Sequence, residues 1–208
     1  MPAPLPEAQQ EEILRSTIAL SLDNFSLAWR IADLLVEYAE SGLAPPRATI
    51  HLLGAGRSVE VAAANCGLFT TPVVQMAILD TRRSIEFFGI ARDSKLNQFK
   101  PITKRQYDDL GIEHFGLARV SPQRLLDTVS ASLTVPAEPL LLDMHRWSSK
   151  HLAHFTLSDA SVTFQTIRDC SKGIIEAFFV LLFDASGRQR PLIQPLPTED
   201  EPREGLTR

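Results

Sequence analysis

Apolar residues near the start of the chain recur every three to four positions, which is the spacing of an amphipathic helix. The pattern predicts a first helix over 9–21. A second helix is expected to begin after Asp23-Asn24, a typical capping pair, and to end at Gly42, because the prolines that follow deny further helical hydrogen bonding. Two helices are therefore expected before any strand.

Beyond Gly42, short apolar runs alternate with stretches that are compatible with helices. Runs of this kind are typical of parallel strands that are covered on both faces. Strands are predicted over 48–53, 72–79, 114–120, 139–144 and 154–157, with helices over 59–68, 123–132 and 162–182 and a mixed segment over 82–109. The fold class that follows is α/β: a three-layer αβα sandwich around a five-stranded parallel sheet, Rossmann-like or flavodoxin-like, with two helices in front of it.

The domain organisation follows from composition along the chain. Residues 1–8 contain three prolines and are expected to be flexible, whereas 9–184 is long enough to form one domain with a substantial core. Residues 185–208 are rich in proline and acidic residues and have little to bury, which is typical of a disordered tail.

The net charge of the chain argues against two classes of binding partner. A net charge of −4 argues against broad binding to nucleic acid or to a membrane surface, because both require a basic face. Small basic clusters occur at Arg82-Arg83 and at Lys100 with Lys104-Arg105, and they are interpreted as solvated surface.

Cysteine usage and the termini predict a cytoplasmic protein. Cys66 and Cys170 lie in apolar periodic segments, which indicates buried reduced thiols. No Cys-x-x-Cys and no His/Cys ligand spacing occurs, so no metal site is predicted. The N-terminus lacks the basic flank and apolar stretch of a signal peptide, and the apolar run 177–183 is too short to cross a bilayer.

The motif with the clearest chemical meaning is Gly54-Ala55-Gly56-Arg57-Ser58, between a predicted strand and a predicted helix. A strand that turns through small residues into a helix aims free backbone N–H groups and the positive helix end at one point, which favours a phosphate. Asp80, Ser121 and His145 also follow predicted strands. Ligands gather at the carboxyl ends of parallel strands, so these residues are expected at the same edge.

This order of elements resembles the sugar isomerase (SIS) domain over about 10–184. Ile50-His-Leu-Leu-Gly-Ala-Gly-Arg-Ser58 is similar to the first phosphate loop of hexulose-phosphate isomerases. Leu79-Asp80-Thr81, followed by Ala91-Arg92-Asp93, is similar to the phosphoheptose isomerase branch. The segments 148–157 and 160–165 resemble the last short strand of the family and the entry to its closing helix.

The resemblance implies a site for a carbohydrate derivative, a phosphorylated sugar, with no cofactor. The phosphate ligands that it implies are Gly54, Gly56, Arg57, Ser58 and Ser121. Asp80, Thr81 and Arg124 are the further substrate-binding candidates. SIS domains form dimers or tetramers, so a homodimer or homotetramer through the N-terminal helices is expected, with sites at subunit junctions.

Catalysis is a separate question, because the family's acid and base positions are altered. The positions of its histidine and glutamate after the first loop hold Ala64 and Leu68, and Gln-Glu-x-His of the last helix reads Gln165-Thr-Ile-Arg168. An isomerase needs a positioned base near neutral pKa. The favoured hypothesis is a phosphosugar-binding protein without isomerase chemistry, acting as a sensor or partner protein.

Two enzymatic alternatives stay open. The first is a divergent aldose–ketose isomerase that uses His145 or Glu60 as its base. The second is an NAD(P)-dependent enzyme, since Asp80 ends a predicted strand after Gly54-x-Gly56, as the ribose-binding acid does in dinucleotide folds.

Overall fold

A long N-terminal helix runs from Glu7 to Ser41 in the computed structural model of the chain. It consists of α1 (Glu7–Ile13), a π-helical turn (Leu14–Ile18) and α2 (Ala19–Ser41). Asp23-Asn24 lies inside α2, so the predicted break between two helices is wrong. Gly42 ends the helix in the left-handed conformation, with φ of 68°, which confirms the predicted end.

The structure describes residues 3–42, 49–54, 57–62, 67–106, 108–149 and 162–193. After α2 its elements are β1 (Thr49–Gly54), β2 (Arg57–Ala62), α3 (Gly67–Phe87), β3 (Ile90–Asp93), β4 (Gln98–Pro101), a 3₁₀ turn (Ile112–Phe115), α4 (Pro122–Ser130), α5 (Ala137–Trp147), α6 (Phe164–Phe178) and a π-helical extension (Phe179–Asp184). The predicted strand over 154–157 lies outside the described residues.

The predicted α/β fold is wrong. Helices dominate the described part of the chain, and its strands form two separate two-stranded antiparallel sheets, β1–β2 and β3–β4. The five-stranded parallel sheet and the Rossmann-like, SIS-type sandwich are therefore not the architecture of this chain. Of the predicted strands that fall within the described residues, only the one over 48–53 is present as such, in β1.

The segment after the glycine motif is a strand and not a helix. The prediction of a helix over 59–68 is wrong, because the chain forms β2 over 57–62. Val59, Glu60 and Val61 alternate apolar and polar residues and are mostly β-branched, which is typical of a strand. β2 pairs with β1 in a hairpin, with Gly54 opposite Arg57.

Two other predicted strands are helical. The run 72–79 lies inside α3 and the run 139–144 lies inside α5. The buried positions of α3 include Ala77, Ile78, Thr81 and Ile85, which recur at i, i+1, i+4 and i+8 and so lie on one face of a helix. Short apolar runs do not distinguish a strand from a buried helix, and here the packing partners are helices.

The third strand, predicted over 114–120, is also wrong, because the chain forms a 3₁₀ turn there and then a segment without regular secondary structure. The predicted helices over 123–132 and 162–182 are confirmed by α4 and by α6 with its π-helical extension. In the mixed segment 82–109, α3 ends and the β3–β4 hairpin follows.

The core lies between α2, α3 and α6. Helix α2 packs most extensively on α6 and then on α3, while α4 and α5 also pack on α6. Phe87 and Phe88 at the end of α3 meet Phe178 of α6 at ring centroid distances of 5.7 and 5.1 Å. Phe115 joins this aromatic group, so the 3₁₀ turn is held against the end of α3.

Candidate functional site

The glycine motif lies in the β1–β2 hairpin. Gly54 ends β1, Arg57 begins β2, and Ser58 pairs with Leu53, while Ala55 and Gly56 fall outside the described residues. Since β2 replaces the predicted helix, the strand–turn–helix geometry on which the anion argument depended is not formed. The role of these residues in binding a phosphate stays a prediction. Glu60, a candidate base, lies in β2 opposite His51.

Asp80 and Thr81 lie in the middle of α3 and are buried. The Asp80 carboxylate accepts hydrogen bonds from Asn24 Nδ2 at 3.0 Å and from Arg83 Nη1 at 3.2 Å. The Thr81 hydroxyl donates to the Ala77 carbonyl of the preceding turn. Asp80 therefore connects α3 to α2, and Thr81 bonds within α3. The prediction that Asp80 ends a strand is wrong, because Asp80 lies inside a helix.

Ser121 is the N-cap of α4, where its hydroxyl accepts a hydrogen bond from the backbone N–H of Arg124 at 3.2 Å. Arg124 is exposed in the first turn of that helix. The predicted phosphate and substrate residues are thus divided among the β1–β2 hairpin, α3 and α4.

A cavity of about 840 Å³ lies elsewhere, between the start of the long N-terminal helix, the end of α3 and the segment after β4. The N-terminal helix contributes Thr17 and Ser21 to its lining. The end of α3 contributes 82–84 and 86–87, and the segment from the end of β4 onward contributes 100–106. Small-molecule sites in proteins usually have volumes of about 300–1,000 Å³. The cavity therefore has the size of a metabolite site.

The cavity wall is strongly basic. Five cationic side chains line it among the described residues, against the two acidic side chains Glu86 and Asp109; the cations are Arg82, Arg83, Lys100, Lys104 and Arg105. These residues are the two basic clusters, Arg82-Arg83 and Lys100 with Lys104-Arg105, that were expected to be solvated surface. They lie on α3 and on the β4 side of the hairpin, and the fold brings them to one cavity.

Arg105 forms the buried frame of this wall. Its guanidinium pairs with Glu113 at 3.1 Å and donates to the carbonyls of Glu86 and Phe87, the last residues of α3. A cation at those carbonyls stabilises a helix C-terminus. Arg119 also pairs with Glu113, at 2.9 Å, and donates to the Ile102 carbonyl. The network fixes the segment after β4 to the end of α3.

Glu113 remains ionised inside this network. Burial raises the pKa of its carboxyl, but hydrogen bonds from its own backbone, Arg105 and Arg119 outweigh burial and hold the pKa below its usual value. Because the donors of Arg105 are occupied by Glu113 and by backbone carbonyls, Arg105 shapes the cavity rather than offering a free charge.

The other cations are more available. Arg82 pairs with Glu86 and Lys100 with Asp93 on partly exposed surface, where ion pairs are weak. Arg83 is itself exposed but pairs with the buried carboxylate of Asp80. Lys104 has no hydrogen-bond or ion-pair partner among the described residues. An anionic ligand could therefore recruit Arg82, Lys100 and Lys104 without breaking a pair to a buried carboxylate.

His145 lies next to this wall and does not line the cavity. Its Nε2 is 4.0 Å from the Glu86 carboxylate, and neither ring nitrogen has a hydrogen-bond partner in the described part of the chain. Burial, and then the charge of Arg82, lowers the pKa of His145 to about 4. The ring is neutral at pH 7 and faces Glu86 from the α5 side.

Comparisons with protein-family models, with curated proteins and with solved structures find no match to this chain. No helix among the described residues combines the length and apolar character that crossing a membrane requires.

Proposed function

We propose that this protein binds a small phosphorylated metabolite, of the sugar-phosphate class, in the basic cavity. The observation that carries the proposal is the convergence of five cationic side chains, four of them outside the buried Glu113 network, on a cavity of about 840 Å³ in a chain whose net charge is −4. Charges of one sign that line a concave surface raise the local concentration of oppositely charged ligands. A phosphate group matches this wall in charge and in hydrogen-bond acceptors.

The remaining lining residues suit the sugar part of such a ligand. Thr17, Ser21 and Thr103 offer hydroxyl groups, and Gln106 offers an amide, for the hydroxyls of a sugar. Phe87, with Ile18, Leu110 and Phe178, supplies the apolar surface that small-molecule sites commonly contain. The proposed compartment is the cytoplasm, in keeping with Cys170 as a buried free thiol.

Titration calorimetry at low ionic strength tests the proposal with three ligands: glucose 6-phosphate, inorganic phosphate and glucose. The sugar phosphate is expected to bind, inorganic phosphate to bind more weakly, and glucose to give no measurable heat. Rising salt should weaken binding, because mobile ions screen the exposed cations.

Lys104→Gln locates the site. Loss of a charge-assisted contact to phosphate corresponds to about 1.5–3 kcal/mol, so the Kd should rise by about tenfold or more. Lys95→Gln is the matched control, since Lys95 is exposed in the β3–β4 turn and does not line the cavity. Ser58→Ala examines the hairpin motif and is expected to leave the Kd unchanged.

Two results would contradict the proposal. One is the absence of binding by a panel of sugar phosphates. The other is binding that Ser58→Ala abolishes and Lys104→Gln leaves intact, because the ligand would then lie at the β1–β2 hairpin.

A further inference from the structure

Three exposed leucines form a line along α2. Leu20, Leu27 and Leu34 are spaced by seven residues and are 62%, 38% and 47% exposed. Seven residues fall about 20° short of two full helical turns, so the three side chains leave the helix within about 40° of one another. Ile31 and Tyr38, both half-buried, lie beside them. We call these five residues the leucine stripe.

The stripe faces away from the core of its own chain. The buried residues of α2 include Phe25 and Ala32, about 140–160° around the helix from Leu27 at 100° per residue. Phe25 is fully buried and Trp29 packs on the core beneath the Lys172 ammonium, so these two large aromatic side chains of α2 are used within the chain. The surface left over is the stripe.

Leucines repeated every seven residues on a helix are typical of the seam between two paired helices. The other exposed large apolar side chains among the described residues are scattered over other elements: Met76, Leu96, Val135, Phe164 and Leu192. A row of apolar side chains on one helix face is more informative than scattered exposed residues, because it favours an interaction surface.

Charges beside the stripe identify the partner. Asp23, Arg30 and Glu37 also repeat every seven residues and lie along one edge of the leucines. If a second copy of α2 lies antiparallel with Leu27 at the centre, Asp23 of each copy lies close to the level of Arg30 of the other. A parallel pair in register would place the two rows on opposite sides of the seam, where Asp23 and Arg30 do not meet. The row is therefore complementary to itself in one orientation.

We infer that the protein forms a symmetric homodimer in which two α2 helices pack antiparallel through the leucine stripe. A surface of this kind buries the same patch of both subunits around a two-fold axis, with Leu27 nearest the axis. A membrane is disfavoured as the occupant, because Asp23 and Glu37 beside the stripe would be repelled by anionic headgroups.

The oligomeric state of the full chain tests this inference. Sedimentation equilibrium should give the mass of a dimer for the wild-type protein, with dissociation at low concentration. Leu27→Glu and Leu20→Glu each place charges in the seam and should raise the dimer Kd by about tenfold or more. Leu96→Glu, at a residue that is 67% exposed in the β3–β4 turn, should leave it unchanged. Far-UV circular dichroism confirms that each variant is folded.

The orientation has its own test in a background with Cys66 replaced by serine. In the antiparallel dimer, Leu27→Cys forms an intermolecular disulfide and Leu34→Cys alone does not, whereas a parallel dimer would cross-link both. Asp23→Arg should weaken the dimer, and the double variant Asp23→Arg with Arg30→Asp should recover part of the loss.

A wild-type protein that stays monomeric up to sub-millimolar concentration overturns the inference. So does a dimer that both glutamate variants leave intact, or a monomer that sediments with vesicles of phosphatidylcholine and phosphatidylserine.

Discussion

His145 is a buried side chain whose surroundings favour its neutral form. Both ring nitrogens lack hydrogen-bond partners among the described residues. The charged groups that face it are Arg82 and Glu86 of α3 and Arg92 of β3, and the two arginines together with burial oppose a charge on the ring more than Glu86 favours one. Protonation of His145 therefore costs more in the folded protein than in the unfolded chain.

This difference predicts an acid-dependent loss of stability. The pKa of His145 is about 4 in the folded protein and 6.5 in the unfolded chain, so between these values the unfolded chain binds more protons. The stability contribution is complete above about pH 6.5 and is lost as the pH falls toward 4, by about 3 kcal/mol in all. Urea denaturation of the wild-type protein across this range measures it.

His145→Gln supplies the comparison for that experiment. The variant keeps a polar side chain of similar size and cannot titrate, so the difference in unfolding free energy between variant and wild type should change as the pH falls. If the two pH curves ran parallel, the ring would titrate with an unperturbed pKa and the proposed environment would be wrong.

At the scale of elements, a close approach between α4 and α6 depends on Gly173. A Cβ atom at this position would lie 2.5 Å from Cγ1 of Val129 in α4. Alanine in place of a helical glycine usually stabilises a helix by about 1 kcal/mol. At this position the overlap with buried Val129 forces the helices apart or strains the side chain, which costs about 1–3 kcal/mol.

Gly173→Ala is therefore expected to lower the unfolding free energy, measured by urea denaturation. Val129→Ala alone should also destabilise, since it removes buried methyl groups. The double variant provides the control, because the new methyl group would occupy the space that Val129 leaves. If the loss of unfolding free energy in the double variant equalled the sum of the losses in the two single variants, the helices would not meet at this point.

The elements differ in how far the sequence determines them. The helix predicted over 123–132 begins at Pro122, within one residue of the prediction, because Ser121 and Pro122 cap it and capping is a local property. The runs 72–79 and 139–144 are apolar in either conformation, and the neighbours that decide between strand and helix come from distant parts of the chain. The cavity shares this limit, because its basic clusters are visible in the sequence and their convergence depends on tertiary packing.

At the scale of the molecule, hydrogen bonds connect residues near the start of the described chain with the 3₁₀ turn and with the segment after α6. The Leu5 amide donates to the His114 carbonyl, and the side-chain amide of Gln10 donates to the Leu5 carbonyl. Arg188, beyond α6, donates through Nη2 to Gln10 Oε1 at 2.6 Å and through Nε to Glu11 Oε1 at 3.2 Å. Its guanidinium also lies 5.8 Å from the ring centroid of Phe115.

Arg188 thus joins three regions that are distant in sequence: α1, the 3₁₀ turn and the segment after the π-helical extension. Arg188→Ala is expected to lower the unfolding free energy by roughly 1–2 kcal/mol, because it removes charge-assisted bonds and a cation–π contact that are partly shielded from water. Arg188→Lys should recover only part of the loss, since one ammonium cannot reproduce the planar fork.

Arg190 is the matched control for this experiment. It pairs with Asp184, six residues away in sequence, and both side chains are nearly half exposed. An exposed local pair contributes little, so Arg190→Ala should cost clearly less than Arg188→Ala in chemical denaturation. Hydrogen exchange adds a second readout: Arg188→Ala should also speed exchange of amides in α1, at the opposite end of the chain, and Arg190→Ala should not. Equal costs for the two variants, with no change in α1, would mean that the contacts of Arg188 do not hold the ends of the chain together.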